Sequence, residues 1–340
     1  MNWIGLDIGG ANIKVADADG SAASAEFPLW RNKNGLKLKL DELLSEFPGH
    51  FRLAVTMTGE LADCYASKQE GVQHIVDSVV AVSRGAAPVF YQTNGCFVEA
   101  RTAIAAWQST AATNWHALAT FAARLMPDNS GILVDVGSTT TDIIPVSNRT
   151  PCSKSCSDTH RLQAGELVYT GISRSPVNGL LQQVRIDGVP TRIANELFAT
   201  TLDAHVYLGN LPESSSVSTA DGRPATIPCS AQRLARVVCA DVAEIGAQNV
   251  RTIAEEVVKA QTTLIARALD QVFRANASLK TALVISGSGG WLVSRYLRDC
   301  LDGARVVEFS EVISQSASDC APAVAVAQLA RESAHPIPSS

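Results

Sequence analysis

Ile132 to Asp142 reads ILVDVGSTTTD, an apolar run that ends on an acid, a glycine, a cluster of hydroxyls and a second acid. Residues 3–14 repeat the pattern as WIGLDIGGANIK, with Asp7, Gly9, Gly10, Asn12 and Lys14. Each reads as strand, tight turn, strand, with a carboxylate at the end of the first strand. Glycine lets backbone amides approach a ligand closely, and successive amides form an anion-binding nest. Ser138, Thr139, Thr140 and Thr141 add hydroxyl donors, and Lys14 adds a point charge suited to phosphate. Asp7 and Asp135 are oxygen ligands of the kind Mg²⁺ takes, directly or through water. A third glycine turn, Ser286 to Gly290, follows an apolar run and leads into a helix near Trp291, so Gly287 and Gly289 are further candidates for phosphate or nucleoside contact. The chemistry predicted is binding of a diphosphate or nucleotide between two duplicated loops, with plain hairpin architecture as the competing explanation. Neither GxxxxGK[ST] nor a GxGxxG after the first strand is present, so a P-loop or Rossmann site is excluded.

The elements that position these loops alternate. Strands are expected at 3–8, 12–17, 51–56, 88–91, 281–285 and 306–309, with a third strand or edge at 27–30. Helices are expected at 36–47, 69–83, within 98–127, near 195–207, through 229–274 with a break near Gly246, and at 322–334. Strands around a turn at Asp187-Gly188 fill 177–189, and 210–226 reads as loop. This order predicts an α/β fold with mixed sheets. The expected division is an N-terminal lobe over 1–128 and a C-terminal lobe over 129–340 that includes an insertion at 147–228. The polar stretch 147–175 is too long for a simple hairpin loop and is expected to cover the cleft.

The 340 residues suffice for two such lobes, and 46% are apolar. A net charge of −5 with scattered Lys and Arg argues against a nucleic-acid surface. No apolar run nears the roughly 20 residues that span a bilayer, and no secretion signal is evident, so a cytoplasmic protein without a membrane partner is expected. Eight cysteines at this length are expected as free thiols. Cys152, Cys156 and His160 form a local cluster, but Cys-x3-Cys is not the usual zinc spacing and a fourth ligand is not obvious. His116 follows Trp115 in an apolar run and reads as a packing residue, whereas His160 and His205 sit among polar residues as possible acids or bases. Glu60 and Glu166 each follow a glycine in a shaped loop, and Tyr169 and Arg174 could meet an aromatic or acidic part of a substrate.

The two hairpins with the late GSGG turn resemble the acetate kinase, sugar kinase, Hsp70 and actin superfamily, and within it the hydantoinase A/oxoprolinase group. VTMTGELADCY (55–65), YQTNG (91–95), TNWHALA (113–119), VDVGSTTTDIIP (134–145), GELVYTG (165–171) and ELFATTLDAHVYLG (196–209) resemble more narrowly a family linked to tetrahydromethanopterin-dependent C1 transfer. Its archaeal members include the methanofuran biosynthetic enzyme that joins an aminomethylfuranyl-methyl diphosphate to γ-glutamyltyramine. The resemblance implies a two-lobed actin-like fold with a central cleft and an ether-forming transferase that uses Mg²⁺. The phenol oxygen of a tyramine unit attacks the furan methylene and diphosphate leaves. By position Asp7 and Asp135 would hold metal. Gly9, Gly10, Lys14, Gly137, Ser138, Thr139, Thr140, Gly287 and Gly289 would hold the phosphates. Glu60, Asp142 and Glu166, and less directly His160, would supply the base. The partners expected are the diphosphate and the phenolic amine, with a homodimer as the assembly. An ATP-dependent kinase or hydantoinase-like hydrolase using the same cleft is the competing enzyme class, and a non-enzymatic binding member of the same pathway is the third reading.

Overall fold

A computed structural model describes residues 2–153, 156–279, 282–298 and 303–334. The first lobe contains β1 (Asn2–Ile8), β2 (Asn12–Asp17), β3 (Ala22–Glu26), β4 (Phe51–Met57), β5 (Val89–Tyr91) and β6 (Phe97–Val98). Its helices are α1 (Leu36–Ser45), α2 (Lys68–Val82), α3 (Ala100–Ala105), α4 (Trp107–Thr110) and α5 (Asn114–Ala122). The second contains β7 (Gly131–Val136), β8 (Thr141–Ser147), β9 (Thr150–Pro151), β10 (Leu167–Val168), β11 (Gln183–Ile186), β12 (Val189–Arg192), β13 (Ala282–Ser286) and β14 (Arg305–Glu308). Its helices are α6 (Asp158–Ala164), α7 (Val177–Leu180), α8 (Thr201–Tyr207), α9 (Ile227–Arg236), α10 (Val242–Ala275), α11 (Gly290–Tyr296), α12 (Phe309–Val312) and α13 (Gln315–Asp319). A last helix, α14 (Ala321–Ala334), follows.

The duplication inferred from two glycine turns is a duplication of topology. The first sheet runs β3-β2-β1-β4-β5-β6 and the second β10-β8-β7-β13-β14. In both, an antiparallel hairpin carries an antiparallel edge strand on one side and two parallel strands on the other. Strands β1, β7 and β8 are buried on both faces, as their near-continuous apolar runs require, whereas β2 leaves Asn12 and Lys14 half-buried.

Two helices tie the lobes together. Helix α14 lies on β1 so closely that a Cβ on Gly5 would stand 1.9 Å from the carbonyl oxygen of Ala323, so only glycine admits the helix there. Helix α5 packs against α14 on one side and places Trp115 and Leu118 among Ile144 and Val146 of β8 on the other. The change of sheet falls between α5 and β7. A division at residues 128 and 129 is the one we propose, with 147–228 inserted in the second lobe and α14 returning to the first.

Several elements differ from expectation. The third strand is 22–26, because 27–29 instead run along the first hairpin turn, where Phe27 and Leu29 donate to the carbonyls of Ala11 and Gly10 at 2.8 and 2.9 Å. Residues 98–127 form three short helices, broken at Ala106 and at Ala112, whose φ is +51°. Residues 177–180 are a helical turn before the β11–β12 hairpin. The long C-terminal helical region divides at 237–241, and Gly246, at φ +74°, breaks the first turns of α10 as predicted. Of the strand expected at 281–285, residue 281 lies outside the described residues.

Candidate functional site

The two hairpin turns have one geometry. The Gly9 N–H donates to the Asn12 carbonyl at 3.0 Å, and the Gly137 N–H to the Thr140 carbonyl at 2.9 Å. Strand register then sets Asp7 opposite Lys14 and Asp135 opposite Asp142. The turns touch across the lobes, where Asn12 Nδ2 donates to Ser138 Oγ at 3.3 Å. Among the described residues the amides of Gly10, Ala11, Ser138 and Thr139 donate to no protein acceptor. These four residues are half-buried, and amides on facing turns of this kind can form an anion nest.

The second turn is held rigidly. Ile172 N–H donates to the Gly137 carbonyl, and those of Ser173 and Arg174 to the Ser138 carbonyl, at 3.0, 3.0 and 3.1 Å. Gly171 fits beneath because it has no side chain: a Cβ would lie 2.4 Å from the Gly137 oxygen. The Gly171 carbonyl accepts from Thr201 Oγ1 at 2.9 Å and from Gln261 Nε2 at 2.7 Å. The late glycine turn closes on the same hairpin. Gly289 N–H donates to the Val136 carbonyl at 2.9 Å. A Cβ on Gly287, whose φ is +86°, would fall 2.3 Å from that carbonyl oxygen and 2.7 Å from Asp135 Oδ1.

Asp7 and Asp135 are both buried. Burial raises both carboxyls; Lys14 opposes this in each case, and Asp135 is left at about 6. Ser286 pairs with Asp135 in the β7–β13 register. Although its hydroxyl lies close enough to lower the Asp135 pKa, neither Asp135 Oδ1 nor Ser286 Oγ has a hydrogen-bond partner of ordinary geometry among the described residues. Unpartnered buried oxygen beside a second carboxylate fits a hard divalent cation. Among the described residues no three His, Cys, Asp or Glu side chains gather as a ligand set. A cation here would therefore rest on one or two carboxylates with phosphate oxygens and water, as Mg²⁺ commonly does.

The candidate bases separate. Glu60 lies on a 3₁₀ turn, Gly59–Leu61, directly after β4. A Cβ on Gly59 would stand 3.1 Å from the carbonyl oxygens of Ile8 and Gly9, so this turn abuts the first hairpin. Glu60 is 1% exposed, and its Oε2 has no partner among the described residues. Burial pushes its carboxyl up to about 7, with Lys68 opposing and Asp158 adding to the shift. Those two residues form an ion pair of 3.2 Å between the lobes, from α2 to α6.

Asp142, another expected base, already has a partner. It is buried in an ion pair with Arg161, whose guanidinium stacks 4.2 Å from the centre of the Trp115 ring. A carboxylate committed to a buried guanidinium ties α6 and α5 to β8, and we propose this structural role for Asp142 in place of proton transfer. Glu166 is buried, with its carboxylate bonded by Ser153 and its backbone carbonyl accepting from Ile143 at 2.9 Å. His160 is exposed, with Nδ1 2.7 Å from Ser157 Oγ, the cap of α6. These partners make both part of the α6–β10 connection. The polar surroundings expected of His205 are corrected. The residue is fully buried, bonded through Nε2 to Gln261 Oε1 at 2.9 Å, and burial lowers it to about 4. His116 packs as expected, with Nδ1 3.0 Å from the Tyr91 hydroxyl. Cys152 and Cys156 are exposed thiols.

Sequence reasoning missed Lys68 and the structural role of Arg161. Neither stands in a motif, and each acts across a lobe or helix boundary that sequence spacing does not show.

The paired sheets, the hairpin turns facing one cleft and the helices crossing beneath define a two-lobed, actin-like fold. The fold of an acetone carboxylase in a nucleotide-free structure overlays with a TM-score of 0.57 at 10% identity, covering 96% of this chain and 70% of that one. The chain belongs to the hydantoinase/oxoprolinase family, whose family model matches residues 52–333. It is 33% identical over 332 residues to the (4-{4-[2-(γ-L-glutamylamino)ethyl]phenoxymethyl}furan-2-yl)methanamine synthase of Methanocaldococcus jannaschii, covering 96% of each chain. A protein of the same name from Methanococcus vannielii is 36% identical over 163 residues, 48% of this chain and 72% of that one. Among the described residues no helix is long and apolar enough to cross a membrane.

Proposed function

We propose that this protein is a transferase that forms an aryl ether, joining the phenol of a γ-glutamyltyramine to the methylene of a furanylmethyl diphosphate and releasing diphosphate. The relative's name specifies the bond, since its product carries a phenoxymethyl group on a furan. The observation that carries the reading is the pair of facing hairpin turns, with four unused amides and with Lys14 close enough to act on two buried carboxylates. Such a cradle suits a leaving diphosphate, whose charge grows as the carbon–oxygen bond breaks.

The chain's own residues divide the work. Amides of Gly10, Ala11, Ser138 and Thr139 and the ammonium of Lys14 hold the diphosphate and meet its developing charge. Asp7 and Asp135 would hold the cation. Bound Mg²⁺ would supply further positive charge to the departing oxygens. Glu60, near 7 and beside the first hairpin, takes the phenol proton. The new bond joins phenol oxygen to furan methylene carbon, the bond from that carbon to diphosphate oxygen breaks, and the proton ends on Glu60. Glycines 287 and 289 shape the wall behind Asp135, and ATP is not required. A cytoplasmic location belongs to the same proposal, because every cysteine among the described residues is a free thiol.

A thermal-shift panel separates this reading from its rivals. Diphosphate with Mg²⁺ is expected to stabilise the protein; stabilisation by ATP or ADP with none by diphosphate would overturn the proposal.

A further inference from the structure

Trp30 and Arg174 come from different lobes and meet above the seam between the hairpins. Trp30 directly follows Leu29, whose N–H is bound to the Gly10 carbonyl at 2.9 Å. Arg174 is itself bound through its N–H to the Ser138 carbonyl at 3.1 Å. Each residue thus hangs from one of the turns that Asn12 and Ser138 join. The Arg174 guanidinium lies 4.4 Å from the centre of the Trp30 ring.

That contact braces the guanidinium over the indole ring. The N–H donors radiate within the plane, in the fork that matches a carboxylate. Among the described residues Arg174 has neither an ion pair nor a side-chain hydrogen bond. Arg161 and Arg233, by contrast, are each committed to buried aspartates. The ionisable groups that act on Arg174 are Tyr169, Asp63 and Glu26. Asp63 and Tyr169 are exposed, and Glu26 is engaged by Ser216 Oγ at 2.9 Å. An exposed cation, braced by Trp30 and one hydrogen bond from the Ser138 carbonyl, with an exposed acid nearby, suits a zwitterionic group.

A phenol delivered to a carbon held at the hairpins extends the rest of its molecule beyond them, and Arg174, anchored on the Ser138 turn, is an exposed cation beside them. A γ-glutamyl amide leaves the α-carboxylate and α-ammonium of glutamate free. Resting on the function proposed above, we infer that Arg174, braced by Trp30, is the acceptor-specificity residue and binds the α-carboxylate of the glutamyl tail. It is a binding residue and does not take part in the proton transfer.

The test compares γ-glutamyltyramine with tyramine, which presents the same phenol without the carboxylate, in the wild type, Arg174→Ala and Arg174→Lys. In Arg174→Ala the KM for γ-glutamyltyramine is expected to rise about 10–100-fold, the range of a charge-assisted hydrogen bond. Its kcat, its KM for the diphosphate donor and its kinetics with tyramine are expected to stay within about twofold. Lysine should recover part of the loss, because it restores charge without the planar fork. Equal loss with both acceptors, a raised donor KM, or no change at all would overturn the inference. If the wild type condenses neither acceptor, the function proposed above fails while the inference about Arg174 is still decided by calorimetry. Binding of γ-glutamyltyramine by the wild type and not by Arg174→Ala supports it, and equal or absent binding in both overturns it.

Discussion

Asn12 Nδ2 and Ser138 Oγ lie 3.3 Å apart across 126 residues of sequence. The bond joins equivalent turns of the two sheets and sets their free amides facing each other. A diphosphate spanning the turns would engage both lobes at once.

Removing the joint should therefore weaken diphosphate binding without harming either lobe. For Asn12→Ala we expect a diphosphate Kd about tenfold higher, the scale of one hydrogen bond. The urea midpoint of unfolding should be nearly unchanged. A large fall in that midpoint would instead make Asn12 a structural residue.

Asp135→Asn keeps the shape and removes the charge. If Asp135 holds a cation on the leaving group, kcat/KM falls about 10²–10³-fold, the cost of losing one preorganised electrostatic contact. The Mg²⁺-dependent part of the thermal shift with diphosphate should disappear with it. Unchanged condensation would remove Asp135 from the site.

Glu60 makes two linked predictions. As the proton acceptor it must be ionised, so kcat/KM should rise with pH through about 7. Glu60→Gln should flatten that limb and lower the rate about 10²–10⁴-fold. The stability effect has the opposite sense. The folded value, about 7, lies above the ordinary 4.5, so the folded protein holds a proton that the unfolded chain releases between those values. Stability is lost as pH rises through this window. The glutamine variant should be more stable than the wild type at pH 8, by up to about 3 kcal/mol, and the gain should vanish near pH 4. Urea unfolding at both pH values measures this.

Arg161→Met leaves Asp142 buried without its cation. A loss of about 3–5 kcal/mol of stability is expected from stranding that charge. Replacing both residues, as Arg161→Met with Asp142→Leu, should recover much of it, because the uncompensated charge is gone. Retained activity in the double variant would confirm that Asp142 is not the base.

Much of this was legible from spacing. A turn of glycines and hydroxyls between apolar runs is a local feature, so the twin hairpins and their acids could be read directly, and Gly246 could be read as a break. What depended on contacts between distant segments could not. Asp142 and Asp135 look alike in sequence; only Arg161, nineteen residues on from Asp142, separates their roles. His205 looks polar among Thr, Asp and Tyr, yet α8 turns it inward onto Gln261 of α10. Gly171 ends GELVYTG without evident purpose until the Gly137 carbonyl is found 2.4 Å from where its Cβ would stand. The residues 27–30 have strand composition, but the first hairpin turn supplies their hydrogen bonds and no strand forms.

The most direct measurement is a stoichiometric one. Purified protein is given an aminomethylfuranyl-methyl diphosphate, γ-glutamyltyramine and Mg²⁺, without nucleotide, and ether and diphosphate are quantified together. One diphosphate released for each aryl ether formed, with the reaction lost in Lys14→Ala, is the expected result. Ether formation that needs ATP, or none in the presence of both substrates, would contradict it.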